Sequence, residues 1–338
     1  MQPRKSRRSS GAITLGDIAA MAGVAPITVS RALNQPDQVS AEVLRRVREA
    51  VDRTGYVPNR MAGGLASARS RIIAAIVPSA VSAVFMETID TLTASLFDSG
   101  YQLMLGQTGY SPEREEMLIE SFIGRRPDGI FLTGVLGPGK GRTRLVASGI
   151  PVIEAWDLTP SPVDMVIGFS HPDIGRSVAS YLLRKGRRKP AVIDANDPRA
   201  ARRRTAFQQE LAAAGIHHVP VVNSGSNRTL AEGRKALAQV LALQPDTDAV
   251  FCSSDLLALG VLTEARHRGL TVPDALSVVG FGDIPSVADM LPSLTTVRVN
   301  GGRIGALAAE YLVRRTRGEA VEPRIVDLGF TIVERESA

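Results

Sequence analysis

Three consecutive arginines, Arg202, Arg203 and Arg204 in the stretch ARRRTAFQQELAAAG, stand ready to meet a negative charge. A guanidinium grips a carboxylate or phosphate through paired hydrogen bonds, so DNA, a nucleotide and a small acid are the candidate partners. The stretch reads as a helix over residues 201–214, in which successive positions lie about 100° apart and three adjacent arginines fan out. Phe207 and Leu211 mark the buried face. Arg203 lies one turn before Phe207 on that face and Arg204 lies close to it, whereas Arg202 turns away and suits a solvated pair with Asp194 or Asp197. The helix follows the apolar run PAVIDA, at the carboxyl end of a strand, where a helix N-terminus favours anions.

A second candidate, GVLGPGKG at 134–141, matches the GxxxxGK of a phosphate-binding loop. Gly141 stands where a magnesium-holding Ser or Thr belongs, and the next helix reads as starting only after Thr143, not at the lysine. The stretch is expected to be a surface loop at a cleft rim, with a nucleotide-using enzyme as the remote alternative. No GxGxxG follows the first strand and no GxSxG elbow occurs, and four histidines with one cysteine leave no Ser/His/Asp set or Cys/His zinc site. The expectation is no enzyme: no catalytic residue, no metal and no cofactor. Cys252 in the run AVFC reads as a core thiol in a reducing compartment. The basic start MQPRKSRRSSG precedes no apolar stretch, and no run nears the roughly 20 apolar residues of a membrane span, so a cytoplasmic protein with no membrane partner is expected.

The elements that position these residues fall into two compositionally distinct parts. Of the 338 residues, the first 70 carry eleven Lys/Arg against five Asp/Glu, which accounts for the whole net charge of +6; the remaining 268 are neutral. A small basic module on a neutral body is the pattern of a polyanion binder with a separate second domain. Within the module, Thr14 can cap a helix LGDIAAMAG that stops at Gly23, and Pro26 opens a second helix, PITVSRALN. Ser40 caps a third, AEVLRRVREAVDRTG, with Val43, Val47, Ala50 and Val51 inward and Arg45, Arg46, Arg48 and Arg53 outward. Two short helices around a Gly-containing turn, closed by a third, predict a helix-turn-helix.

LGDIAAMAGVAPITVSRALN followed by VSAEVLRRVREAVDRTGYVPNRMAGGLAS resembles the DNA-binding head of the lactose-repressor (LacI) family. The resemblance rests on T-V-S-R-x-L-N, on G-Y-x-P-N and on a leucine ten residues after that turn begins. It implies that the second helix enters the major groove with Pro26, Ile27, Thr28 and Arg31 toward bases and phosphates. Arg31 can bind guanine through two hydrogen bonds and Ile27 can meet a thymine methyl. Thr14, Leu15, Ser30, Asn34, Asn59 and Arg60 complete the implied DNA contacts, mostly at phosphates. Residues 59–68, NRMAGGLASA, would form a hinge helix with Leu65 as a minor-groove wedge, folded only on DNA beside its copy from a second subunit. Its glycines Gly63 and Gly64 each cost roughly 1 kcal/mol relative to alanine.

After Arg71, apolar runs alternate with helices: strands at 72–78, 101–107, 129–134, 151–156 and 163–169. A second series runs helix 172–186, strand 190–195, helix 201–214, strand 219–224, helix 227–243, strand 249–254, helix 255–268 and strand 276–281. Such alternation, twice over, predicts two doubly wound parallel-sheet lobes. The body resembles the periplasmic-binding-protein-like effector domain of the same family, with three crossovers. The fold expected is therefore an all-α head (1–58), a hinge (59–70) and a two-lobed α/β effector and dimerisation domain (71–338). Lobe 1 takes about 71–169 and 298–322, and lobe 2 about 170–297 and 323–334.

The resemblance implies that the arginine at position 203 grips the effector between the lobes. Relatives that bind neutral sugars have an acid where GFGDIPS places Gly282, and its loss from an arginine-bearing pocket favours an anion. YQLMLGQTGYSPEREEMLIESF and DLGFTI are similar to the gluconate-operon repressor branch, so the implied effector is a gluconate-like sugar acid. Asp255 would bond its hydroxyls, Trp156 and Phe169 would cover its apolar face, and Phe85, Ser79, Thr133, Asp157 and Asp283 are further candidates. The implied function is a homodimeric, nucleoid-associated repressor of operator DNA, released when the effector alters lobe closure. A neutral sugar and a co-repressor response are the alternatives, and a tail-driven tetramer is not expected.

Overall fold

The computed structural model describes residues 13–57, 69–79, 82–225 and 228–338. It divides into two units, Met1–Ser70 and Arg71–Ala338. In the first, helix α1 (Leu15–Ala22) begins with a reciprocal cap: the Thr14 hydroxyl accepts from the Asp17 amide and the Asp17 carboxylate accepts from the Thr14 amide. It stops at Gly23. Helix α2 (Pro26–Asn34) has proline in its first turn, and α3 (Ala41–Thr54) is capped by Ser40 and closed by Gly55. Ile18, Val29 and Val47 are fully buried where the three helices meet. Each contributes about 1.5–3 kcal/mol by leaving water, which is how so small a module holds its fold.

The second unit contains two six-stranded sheets. The first half of the chain supplies β1 (Ile72–Val77), α4 (Ala83–Asp98), β2 (Gln102–Gln107), α5 (Pro112–Gly124), β3 (Gly129–Thr133), α6 (Lys140–Ser148), β4 (Val152–Ala155) and β5 (Met165–Gly168). The second supplies α7 (His171–Arg184), β6 (Pro190–Asp194), α8 (Pro198–Ala213), β7 (Val221–Asn223), α9 (Leu230–Leu243), β8 (Ala249–Cys252), α10 (Asp255–His267), β9 (Ser277–Phe281) and β10 (Thr295–Arg298). After α11 (Gly301–Thr316) come β11 (Ile325–Asp327) and β12 (Thr331–Val333). The sheet orders are β11-β5-β4-β3-β1-β2 and β12-β10-β9-β8-β6-β7, the same arrangement twice. All pairings are parallel except that of β12 with β10. One continuous buried cluster, through Phe85, Trp156, Phe169 and Phe281, runs from one sheet into the other.

Three details depart from the sequence reading. The segment 323–334 does not belong wholly to lobe 2: β11 pairs with β5 in lobe 1, and only β12 joins lobe 2. Two three-residue edge strands separated by Gly329, at φ +65°, look like one strand in an apolar pattern. The expectation that no helix starts at Lys140 is also corrected. Helix α6 begins there, with Thr143 Oγ1 bonding the Gly139 carbonyl at 3.0 Å and Gly141 packed against Ile119 in its first turn. Finally, α8 opens at Pro198 rather than 201, because the Asp197 carboxylate caps the Arg199 amide at 2.9 Å. That earlier start places Arg199 and Arg203 one turn apart on the same face.

Candidate functional site

The head presents α2 on its surface. Ile27 is 61% exposed, and the Arg31 side chain is exposed with no hydrogen-bond or ion-pair partner among the described residues, so both side chains are open to a partner. Pro26 is exposed and Thr28 half-buried beside them. Asn34 bonds the Ser30 carbonyl at 2.9 Å and its hydroxyl at 3.4 Å, and the Thr14 hydroxyl donates to Asp17 at 2.7 Å. Asn34 and Ser30 are thus joined to each other, and Thr14 is satisfied by Asp17. Leu15 is half-buried against the head core. The arginines of α3 are partly spent: Arg45 pairs with Glu42 and Glu49, at 2.8 and 2.7 Å. Asn59, Arg60 and Leu65 lie outside the described residues.

In the body, a cavity of about 420 Å³ lies at the carboxyl ends of both sheets. This is where a doubly wound sheet opens a crevice. Three arginines reach it, all from lobe 2: Arg199 and Arg203 on α8, and Arg228 just before α9. Arg199 and Arg228 share one carboxylate, Asp197, at 3.3 and 2.9 Å. Burial opposes ionisation of Asp197, but Arg199, Arg203 and Arg228 outweigh it and hold its carboxyl well below the usual carboxylate range.

Arg203 has a different environment. Its guanidinium lies 3.9 Å above the Phe281 ring, and it donates to His171 Nδ1 at 3.0 Å and to the Ser253 carbonyl at 3.3 Å. Its Nε and the Ser253 hydroxyl are buried with no hydrogen-bond partner among the described residues. Among the described residues no carboxylate lies within ion-pair distance, and burial pulls its pKa down to about 10. Asp197 and Asp194 act on it only from beyond contact, so the buried cation has no directly paired carboxylate, and an anion in the cavity would lower the cost of its burial.

The other predicted residues divide. Asp255, Trp156, Phe85 and Ser79 line the cavity. Asp255 accepts from Thr296 Oγ1 at 2.5 Å and from the Ile284 amide at 2.9 Å, and burial pushes its carboxyl up to about 6. Trp156 meets Phe85 edge-on at 4.8 Å, and its indole N–H donates to Thr88. Phe169, Thr133, Asp157 and Asp283 do not line it. Phe169 packs behind Trp156 and His171 as fully buried core. Asp157 is taken by Arg202, which bonds both its carboxylate oxygens and so joins the lobes outside the cavity. Asp283, at φ +53°, turns to Arg298 and to Arg335, the latter at 2.7 Å. The partner of Arg204 is Asp194, at 2.6 Å.

Gly282 sits at φ +130°, a backbone region that a side chain avoids, and a Cβ there would lie 3.1 Å from Val84. The absent acid thus has a conformational cause as well as an electrostatic consequence.

Sequence reasoning did not single out Arg199, Arg228, His171, Tyr110, Phe281 or Ser253. Two signals were available. Asp-Pro at 197–198 is a cap followed by a first-turn proline, which moves the helix start and turns Arg199 into the site. Arg228 immediately precedes the cap Thr229, again at the carboxyl end of a strand. For Tyr110, whose ring Arg228 covers at 4.3 Å, there was no local signal, since it arrives from the other lobe. No residue of GVLGPGKG lines the cavity. Its Leu136 amide is already bonded to buried Glu154 at 2.7 Å, an arrangement that fills with carboxylate what a phosphate loop leaves open.

Residues 14–59 match the family pattern of bacterial regulatory proteins, lacI family, and residues 179–338 match that of the periplasmic binding protein-like domain. The chain is 37% identical over 335 residues to the HTH-type transcriptional regulator GntR of Pseudomonas aeruginosa, covering 98% of each. It is 34% identical over 321 residues to GntR of Escherichia coli K12, covering 94% of this chain and 96% of the relative. A crystal structure of a LacI-family transcriptional regulator from Silicibacter pomeroyi superposes with a TM-score of 0.90 at 32% identity, over 96% of this chain and 99% of that one.

Proposed function

Because the chain belongs to the LacI family of bacterial DNA-binding transcriptional regulators, we propose that it represses transcription as a homodimer whose operator affinity is set by a gluconate-like sugar acid between the lobes. The observation that carries the effector reading is Arg203, a buried guanidinium held by a neutral imidazole, a carbonyl and an aromatic ring, with no carboxylate in ion-pair contact among the described residues. The aromatic walls from Trp156, Phe85 and Tyr110 suit the carbon chain of such an acid. The head would dock α2 in the major groove through Pro26, Ile27, Thr28 and Arg31. Ser30, Asn34, Thr14, Leu15 and Asn59 would lie near phosphates, Arg60 would add a further DNA contact, and Leu65 would enter the minor groove as a wedge. The acid then releases DNA by preferring one lobe arrangement over another.

The test is a thermal-shift panel on the purified protein: gluconate, ketogluconates, galactonate and glucuronate against their neutral parent sugars. A ligand at a hundred times its dissociation constant stabilises by about 2.7 kcal/mol, which a melting curve resolves. Acids alone are expected to raise the melting temperature. A shift with neutral sugars and none with acids overturns the acid reading and leaves a regulator with a different effector.

A further inference from the structure

We propose that His171 is a positioning residue that aims Arg203 at the acidic effector without neutralising it and ties that arginine to the backbone of the opposite lobe. The inference rests on the acid reading above, and it concerns how the charge is presented.

The two ring nitrogens of His171 have fixed and different tasks. An arginine can only donate, so Nδ1, 3.0 Å from the Arg203 guanidinium, is the acceptor and carries no hydrogen. Nε2 therefore carries it and donates to the Trp156 carbonyl, also at 3.0 Å. The imidazole is 2% exposed and lies edge-on to Phe169 at 4.9 Å, which fixes its plane. Burial first, then the positive charges of Arg203, Arg199 and Arg202, hold it neutral well below the usual histidine range.

The helices are built for this contact. His171 opens α7, after the capping serine Ser170. One turn later, Gly175 lets α7 approach α8 so closely that a Cβ there would lie 2.1 Å from the Arg203 carbonyl oxygen. A larger residue at 175 would push His171 out of reach of Arg203.

The chemistry of the acceptor matters. An aspartate in this place would hold the guanidinium equally well but would cancel its charge, leaving little for a ligand carboxylate. A neutral imidazole holds it and leaves the charge available. The second bond leads to Trp156, which lines the cavity from lobe 1 at φ +66°. Any shift of Arg203 on binding an acid is thereby passed through one rigid ring to the facing lobe.

Three full-length variants separate the tasks. The amide oxygen of His171→Asn can take the place of Nδ1 but cannot reach Trp156. The amide nitrogen of His171→Gln can take the place of Nε2 but offers Arg203 nothing. His171→Asp holds Arg203 and neutralises it. Affinity for gluconate is measured by calorimetry, and the fluorescence response by excitation of Trp156, the chain's single tryptophan. The expected result is a loss of about tenfold or more in gluconate affinity for the Gln and Asp variants, the range of a lost hydrogen bond to a charged group. The Asn variant should stay within about threefold of wild type yet lose most of the gluconate-induced fluorescence change. Wild-type affinity in all three variants, or an equal loss in all three, overturns the proposal; should the Gln variant fail to fold, the contrast of Asn with Asp decides it. Arg203→Ala separates the two readings. If it leaves gluconate affinity unchanged, or wild type binds no gluconate, the acid reading falls; if it abolishes binding while the His171 variants behave as wild type, only the role of His171 falls.

Discussion

The two walls of the cavity divide the work unequally. Lobe 2 contributes every charged residue that lines it: Arg199, Arg203, Arg228, Asp197 and Asp255. Lobe 1 contributes Phe85, Tyr110 and Trp156, with small or uncharged neighbours such as Ser79, Val84 and Gln107. The difference follows from how each wall is made. In lobe 2 the wall is built from helix N-termini, α8 and α10, and from the approach to α9, where caps and first-turn residues are polar. In lobe 1 it is the amino end of α4 and the aromatic turn after β4, continuous with the apolar core that joins the lobes. On the proposed reading, charge selection would belong to lobe 2, and shape and closure to lobe 1.

The sharpest way to break this division is at Arg203. Replacing it with alanine should lower affinity for a sugar acid by about a hundredfold or more, the range for removing one partner of a buried charge pair, while changing neutral-sugar binding little. Calorimetry with matched acid and neutral ligands measures both. On the facing wall, Phe85→Leu should weaken acids and neutral sugars alike, by about three- to tenfold, since Phe85 offers apolar area and no charge to pair with a carboxylate. A selective loss of acid binding there would mean that lobe 1 also discriminates.

Asp255 offers a test by pH. Its folded pKa of about 6 lies above the ordinary value of 3.8, so the folded state takes up its proton more readily than the unfolded chain. The contribution of this group to stability is therefore full below the ordinary pKa and is lost as pH rises through 6. Between pH 5 and 7 wild type should lose about 1 kcal/mol more than Asp255→Asn, seen as the difference between their melting profiles. Acid affinity should move the same way, rising as pH falls toward 5.5, because a negative neighbour is removed from the cavity. An identical pH slope in the two proteins would take Asp255 out of the electrostatics of the site.

The smallest effect on affinity is expected from the residue next to Arg203 in sequence. Arg202 holds Asp157 across the lobes outside the cavity; its own side chain is 43% exposed, but that of Asp157 is only 2% exposed, so removing the arginine strands a buried carboxylate. Arg202→Ala should cost about 1–3 kcal/mol of stability yet leave gluconate affinity within about twofold of wild type. A melting curve and a titration on one sample check both, and a large loss of affinity would show that lobe closure limits binding.

Much of this was legible beforehand because it depends on local chemistry. Thr14, Gly23, Pro26, Ser40 and Gly55 set the helices of the head, and each acts within a few residues of itself. The strand runs of the body read correctly because buried parallel strands are continuously apolar. Helical geometry set Arg203 and Arg204, near the buried face, apart from Arg202, and the family resemblance singled out Arg203. The errors arose where a local pattern has two solutions. Residues 323–334 contain one apolar pattern but two edge strands on different sheets, and α6 opens already at Lys140, where Gly141 leaves room for Ile119 of the preceding helix.

What the sequence determined by itself is the kind of molecule: a basic three-helix head, two doubly wound lobes and an arginine-bearing helix start at a strand's carboxyl end. Only the tertiary structure decided which charges face the cavity and which are cancelled. Asp157 and Asp283 are as acidic in sequence as Asp197, yet arginines at position 202 and at positions 298 and 335 draw them out of the site. His171 looks like any helix-opening residue until the close crossing at Gly175 sets its ring between Arg203 and Trp156. The reason is physical: periodicity and capping act over one or two turns of chain. Whether a buried charge keeps its effect depends on partners tens or hundreds of residues distant, and only packing brings those together.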